Sequence, residues 1–157
     1  MPSANLENAV EGAYWAGFGT AGQRCTSLGN LIIHKDIYEE FVGKLMEKVH
    51  TTRIGDSLEH EGVLYGSMLS EKYGKDFLEI IKICEQDGAT KLYGEGRITS
   101  DNKPSGFVGT PEDGVFMWPH VYGGVTEDMR CFHEELFGPA VTSVSYTHLT
   151  LPTTYGV

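Results

Sequence analysis

A short apolar segment that leads directly into an amphipathic helical pattern constrains the fold of this chain most. Leu31-Ile32-Ile33 is wholly apolar and predicts a strand that is buried on both faces. A helix is predicted from Asp36 onward, because apolar residues then recur every four positions, at Ile37, Phe41, Leu45 and Val49. A strand followed closely by a helix favours an α/β fold.

The rest of the chain continues this alternation. Two further helices are predicted, over residues 5–17 and from Ser70 to a stop at Asp87-Gly88. Two further strands are predicted, over residues 90–93 and 140–144. Residues 115–122 are also extended in pattern, but Pro119 restricts them to an edge strand or an irregular segment. Neither an internal repeat nor a dividing linker is apparent, so we expect one α/β unit.

Composition narrows the class of protein. The 157 residues are enough to bury a core, and a hydrophobic fraction of 40% argues against disorder. The formal net charge of −10 makes nucleic acid and anionic membrane poor partners, because phosphate groups repel acidic surfaces. The chain has no apolar stretch long enough to span a bilayer, and Met1-Pro2-Ser3-Ala4 does not resemble a signal peptide.

The cysteines and histidines carry little sign of a disulfide framework or a metal site. Cys25, Cys84 and Cys131 are an odd number without a CxxC pair, which favours reduced thiols in the cytoplasm. The six histidines are scattered, and none forms an HxxxH pair. We therefore assign no metal.

The stretch from Phe18 to Thr26, FGTAGQRCT, is the most informative for chemistry. Cys25 follows a glycine-containing turn and precedes a predicted buried strand. Backbone N–H groups in such a turn stabilise a thiolate, and also an oxyanion on the carbon that the thiolate attacks. From these residues alone, a small buried cysteine in a tight turn is the favoured interpretation.

FGTAGQRCT resembles the active-site segment of the NAD(P)-dependent aldehyde dehydrogenase superfamily, with Phe18, Gly22, Gln23 and Cys25 at the matching positions. A second motif, His133-Glu134-Glu135-Leu136-Phe137-Gly138-Pro139, is similar to the Glu-Glu-aliphatic-Phe-Gly-Pro motif of the same family. The two motifs occur in the family's order. The GTAGQRCT wording is similar to that of semialdehyde-oxidising members, such as the α-aminoadipic semialdehyde type.

The resemblance implies a function and a role for each matching residue. The activity would be oxidation of an aldehyde or semialdehyde to the acid with NAD or NADP, through a thiohemiacetal and a thioester on Cys25. Glu135 would bind the hydroxyls of the nicotinamide ribose, and Phe137 would contact the nicotinamide. Without the motif, Glu134 and Glu135 are interpreted as a solvated acidic pair and Phe137 as core. Full-length members of the family are expected to be homo-oligomers.

The resemblance also implies the extent of the match. Residues 1–145 would form part of an aldehyde dehydrogenase catalytic domain, an α/β unit with a mostly parallel sheet flanked by helices. The cofactor-binding domain is largely absent, and residues 146–157 resemble no part of the family. No residue matches the family's general-base glutamate, which lies in a Glu-Leu-Gly-Gly segment.

We therefore expect this chain to be an internal fragment that is inactive by itself. Two alternatives remain open at this point. One is a cofactor-free, cysteine-dependent esterase or thiol-reactive protein. The other is an inactive interaction module.

Overall fold

The computed structural model describes residues 1–148. Its helices are α1 (Leu6–Phe18), α2 (Tyr38–His50), α3 (Glu71–Gln86) and the short α4 (Arg130–His133). Its strands are β1 (Asn30–His34), β2 (Ile54–Gly55), β3 (Thr90–Tyr93), β4 (Phe107–Val108), β5 (His120–Gly123) and β6 (Ala140–Tyr146). None of the helices in this part of the chain is both long and apolar enough to cross a membrane.

The main sheet has the strand order β1-β6-β5-β3. The first three strands in that order are parallel, with Ile32 opposite Val144 and Val121 opposite Val141. Strand β3 is antiparallel to β5. Helices α1 and α2 pack against each other, and they contact β6 and β1, respectively. The predicted α/β class with a mostly parallel sheet is confirmed.

One sequence-based prediction about the strands is wrong, and one of two alternatives given for another is wrong. Ile32 is 50% exposed, whereas Leu31 and Ile33 are buried, so β1 is covered on one face and not on two. Successive side chains of a strand point to opposite faces of the sheet, and at β1 only the face that carries Leu31 and Ile33 is covered. Residues 115–119, including Pro119, form the irregular segment that is one of the two predicted alternatives. The edge-strand alternative is wrong, because β5 begins at His120 and lies inside the sheet. The proposed unmatched tail begins at Tyr146, the last residue of β6, and residues 149–157 lie outside the described part.

His120 is a buried imidazole whose two nitrogens are both occupied. The backbone N–H of Gly96 donates to Nε2 over 3.1 Å, so the proton sits on Nδ1, which donates to the carbonyl of Trp118 over 2.8 Å. The ring packs edge-on against Phe77 and stacks on Tyr122. Burial lowers the pKa of His120 from 6.5 to about 4, because a charged ring loses its hydration there.

His120 should make stability depend on pH. The folded chain keeps the ring neutral, while the unfolded chain protonates it near pH 6.5. The stabilisation is therefore present above that pH and is lost as the pH falls towards 4, to an extent of about 3 kcal/mol at most. Urea unfolding of wild type and His120→Gln between pH 7 and 4.5 measures this (the window follows from the two pKa values). If the free energy of unfolding of the wild type fell no more between pH 7 and 4.5 than that of His120→Gln, the predicted role of His120 would be contradicted.

Candidate active site

The chain leaves α1 through a left-handed turn. Thr20, Ala21 and Gly22 have φ angles of +56°, +55° and +64°. Residues with a side chain pay roughly 1–2 kcal/mol each for this conformation, so the surrounding contacts must hold it. Ala21 and Gly22 are buried, and the N–H of Gln23 donates to the carbonyl of Thr20 over 3.2 Å. The turn therefore delivers the next residues in a fixed direction.

Cys25 lies at the second position of a β-turn that is closed at both ends. The N–H of Ser27 donates to the carbonyl of Arg24 over 2.9 Å, and the N–H of Arg24 donates back to Oγ of Ser27 over 3.3 Å. The cysteine itself is exposed. The interpretation of Cys25 as a small buried residue is thus wrong, and its thiol is open to reagents.

Two other residues of the first motif hold the turn from outside. Phe18 is fully buried in the core, with its ring 6.0 Å from that of Tyr14. Gln23 accepts a hydrogen bond from the N–H of Leu69 over 2.9 Å, which ties the turn to the irregular segment before α3. Both residues support the turn, and neither lines the cavity described below.

The second motif follows α4. Glu134 and Glu135 are exposed, and neither forms an ion pair within residues 1–148. Leu136 is buried and anchors the segment. Phe137 is half-buried with a φ of +24°, a left-handed value that is rare for an aromatic residue, and its ring lies 6.2 Å from that of Tyr73.

The two motifs meet at a pair of glycines. Gly22 packs so closely on Gly138 that a methyl group on Gly22 would overlap the Gly138 carbonyl oxygen. Gly138 in turn rests on the ring of Phe77, again without space for a side chain. A cavity of about 250 Å³ opens beside this contact, and its lining includes Gly22, Arg24, Ser27, Asn30, Glu135 and Phe137. Cys25 lies between Arg24 and Ser27, which line the cavity, but is not itself a lining residue.

Sequence reasoning overlooks two residues of this cavity. Arg24 precedes Cys25, and within residues 1–148 its guanidinium forms no ion pair. Its position beside the cysteine was a usable signal. Asn30 bonds to Phe132 and Thr142, which are 102 and 112 residues away, so no local pattern reveals it.

The other two cysteines differ from Cys25 in burial and chemistry. Cys84 on α3 and Cys131 on α4 are both buried. Burial raises the pKa of each thiol, since a thiolate would lose its hydration, and the raised pKa leaves little of the reactive form at neutral pH. Cys25 is thus the one exposed thiol of the three.

Comparison with known proteins identifies the family. The sequence model of the aldehyde dehydrogenase family matches residues 1–150. The 2,5-dioxopentanoate dehydrogenase of Saccharolobus solfataricus is 39% identical over 140 residues, which are 89% of this chain and 26% of that protein. The alpha-ketoglutarate semialdehyde dehydrogenase of Haloferax volcanii is 37% identical over 142 residues, 90% of this chain and 27% of that protein. The chain thus spans about a quarter of the length of these relatives.

Solved structures agree in fold. An NAD-dependent aldehyde dehydrogenase from Sinorhizobium meliloti superimposes with a TM-score of 0.80 at 27% identity, over 92% of this chain and 26% of that one. The betaine aldehyde dehydrogenase of Staphylococcus aureus, solved in complex with NAD+, gives 0.81 at 25% identity, over 92% and 27%. On the sequence match and the shared fold together, this chain belongs to the aldehyde dehydrogenase family.

Proposed function

We propose that this chain contributes the nucleophile and part of the cofactor contact to the oxidation of an aldehyde to a carboxylic acid with NAD or NADP. The observation that carries the proposal is the exposed Cys25 in a closed turn, beside a cavity lined by Glu135 and Phe137. The relatives named above, which are dehydrogenases of semialdehydes and aldehydes, support it. Residues 1–145 would be part of the catalytic domain.

The reaction begins on Cys25. Its thiolate attacks the aldehyde carbon, a C–S bond forms, and the carbonyl π electrons move to the oxygen. The backbone N–H of Cys25 donates a hydrogen bond to that oxyanion. The chemistry that NAD or NADP supplies when bound is acceptance of a hydride from the same carbon. Cys25 then carries the acyl group as a thioester, and water cleaves the C–S bond to release the acid and restore the thiol.

Glu135 and Phe137 suit a nicotinamide riboside. An exposed carboxylate without an ion-pair partner in the described residues is free to accept two hydrogen bonds from ribose hydroxyls. Phe137 offers an aromatic surface at the same cavity. At about 250 Å³, the cavity is smaller than the roughly 300–1,000 Å³ typical of small-molecule sites, so it fits part of a dinucleotide and not the whole.

Arg24 favours an aldehyde that carries a second, anionic group. Both relatives are named after the same carboxylate-bearing aldehyde, which is called 2,5-dioxopentanoate or alpha-ketoglutarate semialdehyde. Arg24 stands next to the nucleophile, lines the cavity and has no acidic partner within residues 1–148. A guanidinium binds a carboxylate with two parallel hydrogen bonds. We therefore propose as the substrate class the semialdehydes of dicarboxylic acids, which carry one aldehyde group and one carboxylate.

Arg24→Gln should slow acylation of Cys25 selectively. Two 4-nitrophenyl esters, the anionic hemisuccinate and the neutral butyrate, probe the thiol without a cofactor. We expect roughly tenfold slower nitrophenol release from the anionic ester, because a charged hydrogen bond is lost, and little change with the neutral one. Equal slowing of both esters would show that Arg24 shapes the turn and does not select the substrate.

Nitrophenol release and NAD reduction together test the proposal. We expect one acyl group per chain on Cys25, seen by intact mass, and no sustained reduction of NAD by semialdehydes, because no residue matches the general-base segment. Sustained reduction would refute the expected inactivity of the isolated chain.

The exposure of Cys25 also favours the second candidate, a cofactor-free cysteine esterase. Repeated turnover of the neutral ester without NAD would favour that candidate, whereas a single burst favours the first.

A further inference from the structure

Asn30 joins three parts of the cavity wall. It is the first residue of β1, lies five positions after Cys25, and lines the cavity between the two motifs. In the sheet, it stands opposite Thr142 of β6. The N–H of Thr142 also donates to the carbonyl of Gly29 over 2.8 Å, so the backbone around Asn30 is fixed to a buried strand.

Both ends of the Asn30 amide are used. Nδ2 donates to the carbonyl of Phe132 over 2.8 Å, and Oδ1 accepts from Oγ1 of Thr142. The orientation of the amide is determined, because a backbone carbonyl only accepts and so requires the NH₂ end. Thr142 is fully buried, which makes the oxygen end the rigid one. Through the Asn30 amide, the position of the Phe132 carbonyl is therefore tied to that of Thr142 in β6.

Phe132 lies three residues before Glu135, in a segment that the buried Leu136 anchors from its other end. His133 and both glutamates are exposed, and the Nε2 of His133 reaches only the nearby carbonyl of Glu127, at 2.7 Å. On the other side of Phe132, the N–H of Cys131 donates to Asp87 over 3.0 Å. The Asn30 amide is thus the bond that ties this segment to β1, the strand that follows the Cys25 turn.

We propose that Asn30 is a positioning residue: through the Phe132 carbonyl, it sets where Glu135 and Phe137 lie relative to Cys25. The proposal rests on the function proposed above, in which Glu135 and Phe137 contact the cofactor. Its test requires neither cofactor nor aldehyde, so it can fail while the proposed function holds, and the reverse.

The test is hydrogen–deuterium exchange of the 157-residue chain, followed by mass spectrometry. Asn30→Asp keeps the shape but turns a carboxylate oxygen towards the Phe132 carbonyl. We expect roughly tenfold faster exchange over residues 130–138, with residues 19–27 unchanged. The reason is that the hydrogen bond from the Asn30 amide to the Phe132 carbonyl is replaced by repulsion between two oxygens. At pH 4 the introduced carboxyl group gains a proton that it can donate, so the ratio to wild type should return towards one. A merely structural loss would not reverse in this way.

Two further variants make the result specific. Asn102→Asp is the matched control, since Asn102 also donates from Nδ2 to a carbonyl, that of Arg97, over 3.0 Å, far along the chain from the cavity. It should speed exchange near residues 97–102 only. Thr142→Val frees the oxygen end and should speed exchange over 130–138 by about threefold. Unchanged exchange there in both Asn30→Asp and Thr142→Val, or equal acceleration along the whole chain, would overturn the proposal.

Discussion

Cys25→Ala is expected to abolish the burst of nitrophenol from both 4-nitrophenyl esters, although the variant keeps two thiols. The remaining thiols, Cys84 and Cys131, are buried, and burial raises the pKa of each, so neither offers an accessible thiolate. The loss should be complete within detection, because removal of the nucleophile removes the acyl acceptor itself. Stopped-flow absorbance for the burst, and intact mass for the acyl adduct, measure it.

Cys84→Ala is the matched control for this experiment. It also removes one thiol, at a buried position of α3 where alanine is a good helix former. Its burst should equal that of the wild type. A burst that survives in Cys25→Ala, or disappears in Cys84→Ala, would assign the nucleophile elsewhere and would remove the main support for the proposed reaction.

Gly22→Ala is expected to destabilise the chain by roughly 2–5 kcal/mol. The left-handed φ of +64° alone costs an alanine roughly 1–2 kcal/mol. The added methyl group would also overlap the Gly138 carbonyl oxygen, so the two motifs must separate, and overpacking of this kind costs roughly 1–3 kcal/mol more. Urea unfolding followed by circular dichroism measures the change.

Gly12→Ala is the matched control, and we expect it to stabilise the chain, whereas Gly22→Ala destabilises it. Gly12 lies in α1, and a methyl group there would meet nothing within 4 Å. Alanine in an exposed helix interior should stabilise the chain by roughly 0.5–1 kcal/mol. If Gly22→Ala were as harmless as Gly12→Ala, the close contact between Gly22 and Gly138 would not exist in solution.

Local patterns predict those parts of this fold that local forces decide. The four-residue recurrence predicts α2 because that helix buries one face, with Phe41, Leu45 and Val49 inside. The run Leu31-Ile32-Ile33 predicts a strand correctly. It cannot predict how many faces are covered, because that depends on which distant parts of the chain pack on each face of the sheet.

For the candidate site, too, the sequence predicts the segments involved but not their conformation or their contacts. The two motifs identify the segments that line the cavity. The sequence does not predict the left-handed conformation of Thr20 and Ala21, because side chains disfavour it. Of the two, Ala21 is buried and Thr20 is exposed. Nor does it predict the contact of Gly22 with Gly138, because the residues between them supply no local signal of their approach.

The strand order β1-β6-β5-β3 has a consequence for how the chain reaches its folded state. The last strand within residues 1–148, β6, lies between β1 and β5, so β1 gains its partner in this sheet only after residues 140–146 are available. Pairings between sequence-distant strands close long loops, which makes folding slow. During synthesis, Cys25 is made before Glu135 and β6, so the part of the cavity lining that includes Glu135 is not yet present. We therefore expect Cys25, the proposed nucleophile, and Glu135, the proposed cofactor contact, to come together only when β6 pairs with β1.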